Sequence, residues 1–282
     1  MNKWVAGARP KTLPAAIAPV AVATALAGEK FDPLLAVLAL LVSLSLQVGV
    51  NYANDYSDGV KGTDDNRIGP MRLVASGAAP ARQVKIAAYI SLGCGALFGL
   101  ILALNSSLWL VAIGACAIAA AWGYTGGKNP YGYFGFGELS VFVFFGLVAT
   151  MGTYFAQTGE LTLTSLLVAI PMGCLSCALL AINNLRDRAA DEIVGKRTLA
   201  VRLGDSRART AFIALLLSAH LSVLFLLKPW ILLTLLLLPM SISLIREIRA
   251  GAIGASLIPL LAKTGKLQMR FALLLALGLL LS

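Results

Sequence analysis

Charge is scarce in this chain. Only 13% of its 282 residues are charged and 59% are hydrophobic, a balance that excludes an ordinary soluble domain. Histidine occurs once, as His220 in the middle of an apolar run, where it reads as a packed or hydrogen-bonded helix residue. The four cysteines, Cys94, Cys116, Cys174 and Cys177, also fall in apolar runs. Cys174 and Cys177 form a CxxC, but with no His or further Cys beside it the pair reads as helix packing rather than a metal or redox site. The runs do not alternate apolar with polar residues, so the strands of a membrane barrel are excluded. The glycines of Gly123–Gly137 carry no phosphate-loop fingerprint. The net charge of +10 is not interleaved with stacking aromatics, which argues against a nucleic-acid partner.

What the chain does have is apolar runs near the ~20 residues that cross a bilayer as a helix. They lie at about 13–28, 34–52, 84–104, 108–124, 138–156, 165–182, 211–227, 231–245 and 267–281. The expectation is an all-α polytopic membrane protein of about nine spans, one intramembrane domain over residues 1–282, with a further half-span conceivable near Pro259. The first run follows Lys3, Arg9 and Lys11 but leads into further spans without a convincing cleavage site, so it reads as a retained helix. With the N-terminus inside, the inner loops hold Lys128, the basic residues around 61–72 and 196–202, and Arg246–Arg270, whereas the outer side has Lys30 and Lys228. This asymmetry places the N-terminus and the most basic loops on the cytoplasmic face.

Two polar segments interrupt the apolar pattern. In the first, NYANDYSDGVKGTDDNRIGPMRLVASG, the residues Asn51, Asn54, Asp55 and Asp58 recur at spacings of three and four, with Lys61, Arg67 and Arg72 behind them. If the second span continues as a helix, the four share a face. Carboxylates this close repel unless a cation sits among them, oxygen ligands suit Mg²⁺, and the basic residues imply an anion bridged by the metal, such as a phosphate ester. The second segment, NNLRDRAADEIVGKRTLAVRLG, repeats the arrangement. Asn183, Asp187 and Asp191 are four apart, followed by Lys196, Arg197 and Arg202. Both segments leave even-numbered spans on the same membrane face, where they could hold a pair of Mg²⁺ ions bridged by a diphosphate.

NDYSD, the N-x₃-D-x₃-D ladder and Tyr124-x₃-Lys128 between them resemble the UbiA-type intramembrane aromatic prenyltransferases. ARPKTLP, RIGPMR, NPYGYFGFGELSVFVFFG and the whole second segment narrow the likeness to the branch whose acceptor is 1,4-dihydroxy-2-naphthoate. The similarity spans about residues 6–205 and implies a helix bundle with a central cavity facing the cytoplasm, in the cytoplasmic membrane of a prokaryote. It implies that Asn54, Asp58, Asp187 and Asp191 hold Mg²⁺. Asn51, Asp55 and Asn183 would orient ligands or bound water, and Lys61, Arg67, Arg72, Lys196 and Arg202 would neutralise the diphosphate of a polyprenyl donor. Asp58, Asp187, Tyr124 and Lys128 would carry catalysis. Where some relatives have a third acid, four residues after Asp58, this chain has Gly62, leaving Asp64 and Asp65 as candidates for that place.

The implied reaction is ionisation of the allylic C–O bond, attack by the ring carbon bearing the carboxylate, and loss of CO₂, which restores aromaticity without a strong base. Tyr52, Tyr124, Tyr131 or Phe134 could steady the carbocation, and the prenyl tail would lie between helices, open to membrane lipid. Three other readings compete. A CDP-alcohol phosphotransferase fails after Gly59, where Val60-Lys61-Gly62 replaces the expected Ala-Arg. An ion-coupled transporter would place its acids near the midplane in broken helices. A sister prenyltransferase using 4-hydroxybenzoate, haem or a glycerol phosphate is disfavoured only through the resemblance. Glu138, at the start of the fifth span, either contacts the acceptor or caps its helix.

Overall fold

The structure is a computed structural model and describes residues 2–64, 69 and 71–282. Asp65 and Arg67, both candidates above, lie outside the described residues. Among the described residues every regular element is a helix. Short helix α1 (Lys3–Ala8) leads through Arg9 to α2 (Pro14–Ala27), the two arms of this N-terminal segment meeting at a bend of 53°. Then come α3 (Pro33–Val60), α4 (Ala81–Leu104) and α5 (Trp109–Gly123). Helix α6 (Gly137–Val141) passes through a wide π-helical turn, Phe142–Val148, into α7 (Ala149–Thr158). Helices α8 (Leu163–Ile193), α9 (Leu199–Ser222), α10 (Leu238–Arg249) and α11 (Leu257–Leu280) complete the bundle.

Local chemistry fixes where the two key helices begin. Asp32 caps α3 by accepting hydrogen bonds from the backbone N–H groups of Leu34 and Leu35 at 2.8 and 3.0 Å, and Pro33 occupies the first turn, where it costs no hydrogen bond. Thr162 and Ser165 form a capping box at the start of α8. At 28 and 31 residues, the two helices are about 42 and 46 Å long, well beyond a hydrocarbon core of ~30 Å. Their polar C-terminal turns can therefore leave the lipid without breaking the helix, as the spacing of the Asn/Asp ladders requires.

Six helices or helix runs among the described residues are long and apolar enough to cross a membrane, and the bent N-terminal pair makes a seventh. Helix α5 is shorter and apolar, and α11 carries Lys263, Lys266 and Arg270 along its length. All nine expected passes thus coincide with helical segments. One boundary differs. The last pass begins at Leu257 instead of Leu267, because Lys263 does not end the helix. Its ammonium is satisfied by Ser243 Oγ at 2.6 Å and Glu247 Oε1 at 2.5 Å, while Pro259 sits harmlessly in the first turn. No separate half-span forms there.

Helix α8 is the axis of the bundle. Of its apolar window 72% is buried, against 22–39% for the other five spans. Met172, Leu175 and Ile182 on α8 pack with Phe212 and Leu216 of α9 and with Phe271 and Leu275 of α11. Lipid is as apolar as leucine, so such helices associate through close van der Waals fit rather than through water exclusion. Gly146 in the π-helical turn shows the fit required: a Cβ there would lie 2.5 Å from the Cα of Gly173 on α8.

Candidate active site

The polar ends of α3 and α8 meet at the mouth of a cavity of about 790 Å³. Asn54, Asp58, Arg72, Asp187, Asp191 and Lys196 line its polar end. Its deeper wall is apolar, with Leu46 on α3, Gly99 on α4, Ile118 on α5, and Phe144 and Phe145 in the π-helical turn. Lys196, which follows α8 in sequence, links the two arms directly. Its Nζ lies 3.0 Å from Asp58 Oδ2 on α3 and 3.9 Å from Asp191 Oδ1.

Asp58 has partners from several elements. The hydroxyl of Tyr133, in the short turn Tyr131–Phe134, donates to its Oδ1 at 2.7 Å, and Arg72 Nη2 lies 3.9 Å from Oδ2. The Tyr133 ring is flanked by two ammonium groups, Lys61 Nζ at 4.8 Å and Lys196 Nζ at 4.7 Å from its centroid. Burial, reinforced by the Asp58 carboxylate, pushes the Tyr133 phenol well above its ordinary range, so it remains a donor. Burial also lowers Lys61, against the opposing pull of Asp58. Lys61 stands outside the cavity lining and donates to the carbonyl of Thr125 at 2.8 Å. Thr125 Oγ1 in turn donates to Asn54 Oδ1 at 2.8 Å, turning the amide oxygen of Asn54 toward the loop after α5.

On the other arm, Asp187 receives both forks of its neighbour. Arg186 Nε and Nη2 donate to Oδ1 and Oδ2 at 2.7 Å each, and Nη2 also donates to Asn183 Oδ1 at 2.7 Å. Asp64 also lines the cavity and pairs with Arg72 Nε at 3.0 Å. Asn51 lines the cavity too, its amide donating to Ala8 O and Thr12 Oγ1 at 2.9 and 3.2 Å and so tying α3 to the N-terminal bend.

These donors suit a hard divalent ion. No three of the His, Cys, Asp and Glu side chains converge on one point among the described residues. Mg²⁺ does not need such a cage, since it takes one or two carboxylates and completes its octahedron with water and substrate phosphates. Asn54 and Asp58 from one arm, with Asp187 and Asp191 from the other, line a single cavity.

Several expected residues are not brought to this cavity. Asp55, fully buried, accepts the backbone N–H groups of Leu73 and Val74 at 2.8 and 3.1 Å; it anchors the chain after the first loop and does not line the cavity. Helix α5 ends at Gly123, so Tyr124 and Lys128 do not form a pair one helical turn apart. Tyr124 lines the cavity, whereas Lys128 is exposed and does not. Arg202 is exposed and donates to the Arg197 carbonyl at 3.3 Å. Tyr52 donates to Trp4 O at 2.7 Å, and Phe134 is exposed, which leaves Tyr124 and Tyr131 as the cavity aromatics of that set. Glu138 accepts from Asn184 Nδ2 at 3.0 Å and stands behind the wall that Asn184 lines. The residues missed are Tyr133, Thr125, Arg186 and Arg9, the last lining the cavity with its Nη2 3.3 Å from Asn51 O.

The model of the UbiA prenyltransferase family matches residues 16–254. Over 278 residues the chain is 50% identical to the 1,4-dihydroxy-2-naphthoate octaprenyltransferase of Mycobacterium tuberculosis, covering 97% of this chain and 95% of that relative. Among solved structures, the apo UbiA homolog from Aeropyrum pernix K1 matches with a TM-score of 0.70 at 15% identity, over 96% of this chain and 97% of the other. The Archaeoglobus fulgidus UbiA homolog bound to DMAPP and Mg²⁺ matches with a TM-score of 0.62 at 14% identity, over 99% of each chain. At such identities these two likenesses speak for the fold.

Proposed function

The chain belongs to the UbiA prenyltransferase family, and from that premise we infer that it transfers a polyprenyl group from polyprenyl diphosphate to 1,4-dihydroxy-2-naphthoate, releasing diphosphate and CO₂, in menaquinone synthesis. The observation that carries this reading is the meeting of the two acidic arms, with Lys196 3.0 Å from Asp58, at the polar end of an otherwise apolar cavity. That arrangement matches a substrate with a charged head and a long hydrocarbon tail.

Two Mg²⁺ ions would be held by Asn54 and Asp58 on one side and by Asp187 and Asp191 on the other, and when bound they supply positive charge to the leaving diphosphate. Arg72 and Lys196 line the same mouth and add fixed cationic charge where negative charge develops as the allylic C–O bond opens. Tyr133 holds Asp58 in place, and its ring lies against the Lys61 and Lys196 ammonium groups. Leu46, Phe144 and Phe145 exclude water from the carbocation. Tyr124 and Tyr131, packed edge to face at 5.6 Å between centroids, offer aromatic surface to it. The acceptor ring attacks through the carbon bearing its carboxylate, and decarboxylation restores aromaticity. The excess of basic residues in the loops beside the mouth supports an active site on the cytoplasmic side of the membrane.

Purified protein with Mg²⁺, a polyprenyl diphosphate and either 1,4-dihydroxy-2-naphthoate or 4-hydroxybenzoate tests the assignment. Prenylated naphthoquinol with stoichiometric CO₂ is the expected result. Turnover with 4-hydroxybenzoate alone would move the chain to the sister activity.

A further inference from the structure

The acids lining the mouth already have cations. Asp58 pairs with Lys196, Asp64 with Arg72 and Asp187 with Arg186. The last pair is the tightest. The Arg186 side chain is 1% exposed and that of Asp187 8%, and the guanidinium fork covers both carboxylate oxygens at 2.7 Å. A divalent ion bound at Asp187 and a guanidinium in this position compete for the same oxygens and repel each other at contact distance. Arg186 nevertheless lines the cavity, and its planar fork fits phosphate oxygens as well as carboxylate oxygens. Gly69 stands over the guanidinium, where a Cβ would lie 3.2 Å from Cζ.

We propose that Arg186 is a diphosphate-binding residue held in reserve on Asp187. When metal-bound diphosphate enters, the guanidinium transfers from the Asp187 carboxylate to a phosphate oxygen, and Asp187 becomes available to the metal. No covalent bond changes; one charge-assisted pair is exchanged for two. The proposal rests on the prenyl diphosphate reading above and assigns to this chain a residue that the acidic ladders do not include.

Calorimetric titration of the full-length protein in detergent micelles separates the two states, first with Mg²⁺ alone and then with inorganic pyrophosphate at saturating Mg²⁺. In Arg186→Gln the metal alone should bind at least about tenfold more tightly, because the guanidinium no longer competes for the Asp187 oxygens, while pyrophosphate should bind at least about tenfold more weakly. Arg186→Lys, which keeps the charge but not the fork, should fall between on both measures, and it decides the matter if the Gln variant does not fold. Opposite shifts support the exchange. Equal weakening of both ligands, the result of a purely structural anchor for Asn183 and Asp187, overturns it, as do two unchanged affinities. If the unaltered protein binds no pyrophosphate with Mg²⁺, the underlying diphosphate reading fails instead.

Discussion

The two acidic arms look alike in sequence and are built differently. Asp58 draws its partners from the Tyr131–Phe134 turn, from Lys196 beyond α8 and from Arg72 beyond α3. Asp187 takes both of its forked hydrogen bonds from Arg186, the preceding residue of the same helix. Asp58 ties distant segments together, while Asp187 is clamped by its own helix neighbour. Chemistry that needs both can therefore be lost in two ways, by dispersing the mouth or by altering one carboxylate within an intact mouth.

Substitutions test that difference. Asp58→Ala and Asp187→Ala should each lower turnover at least about a thousandfold in an inserted protein, since each removes a proposed metal ligand where transition-state charge develops. Hydrogen exchange should then divide them: faster exchange at Tyr131–Phe134 and around Lys196 in the Asp58 variant, little change there in the Asp187 variant. Equal patterns would break the comparison. Asp55→Ala should destabilise by about 3 kcal/mol, because it strands two backbone donors next to the buried Leu73, seen as a lower melting temperature in detergent. Turnover per folded molecule should stay within about threefold; a far larger loss would return Asp55 to the catalytic set. Tyr133→Phe removes one hydrogen bond to a carboxylate and should slow turnover roughly tenfold, the worth of a single such bond. Arg202→Ala, at an exposed position, should change turnover less than about twofold.

The helical ladders were legible because their spacing places side chains on one face of a continuing helix. Spacing does not say what that face meets. Asp55 lies only about 60° around α3 from Asp58, yet one points to the backbone of Leu73 and Val74 and the other to the cavity. Tyr133 was hidden among the aromatics of NPYGYFG, since only the fold of the loop selects which ring reaches Asp58. Arg186 was missed for the opposite reason. Beside Asp187 in sequence, it looks like one more loop charge, and its burial depends on α8 being the central helix. The last helix was placed ten residues late because lysine was read as an end to an apolar run, although Glu247 and Ser243 satisfy it in place.

The overlength of α3 and α8, about 42 and 46 Å, makes bilayer thickness a working variable for this protein. Acyl chains that lengthen the oily slab would draw the outermost turns of both helices into hydrocarbon and penalise the charges gathered there. Shorter chains would instead uncover the apolar wall to water. Vesicles of graded acyl-chain length should accordingly give a turnover optimum at one thickness, with the decline on the thick side following the burial of charge and that on the thin side the entry of solvent.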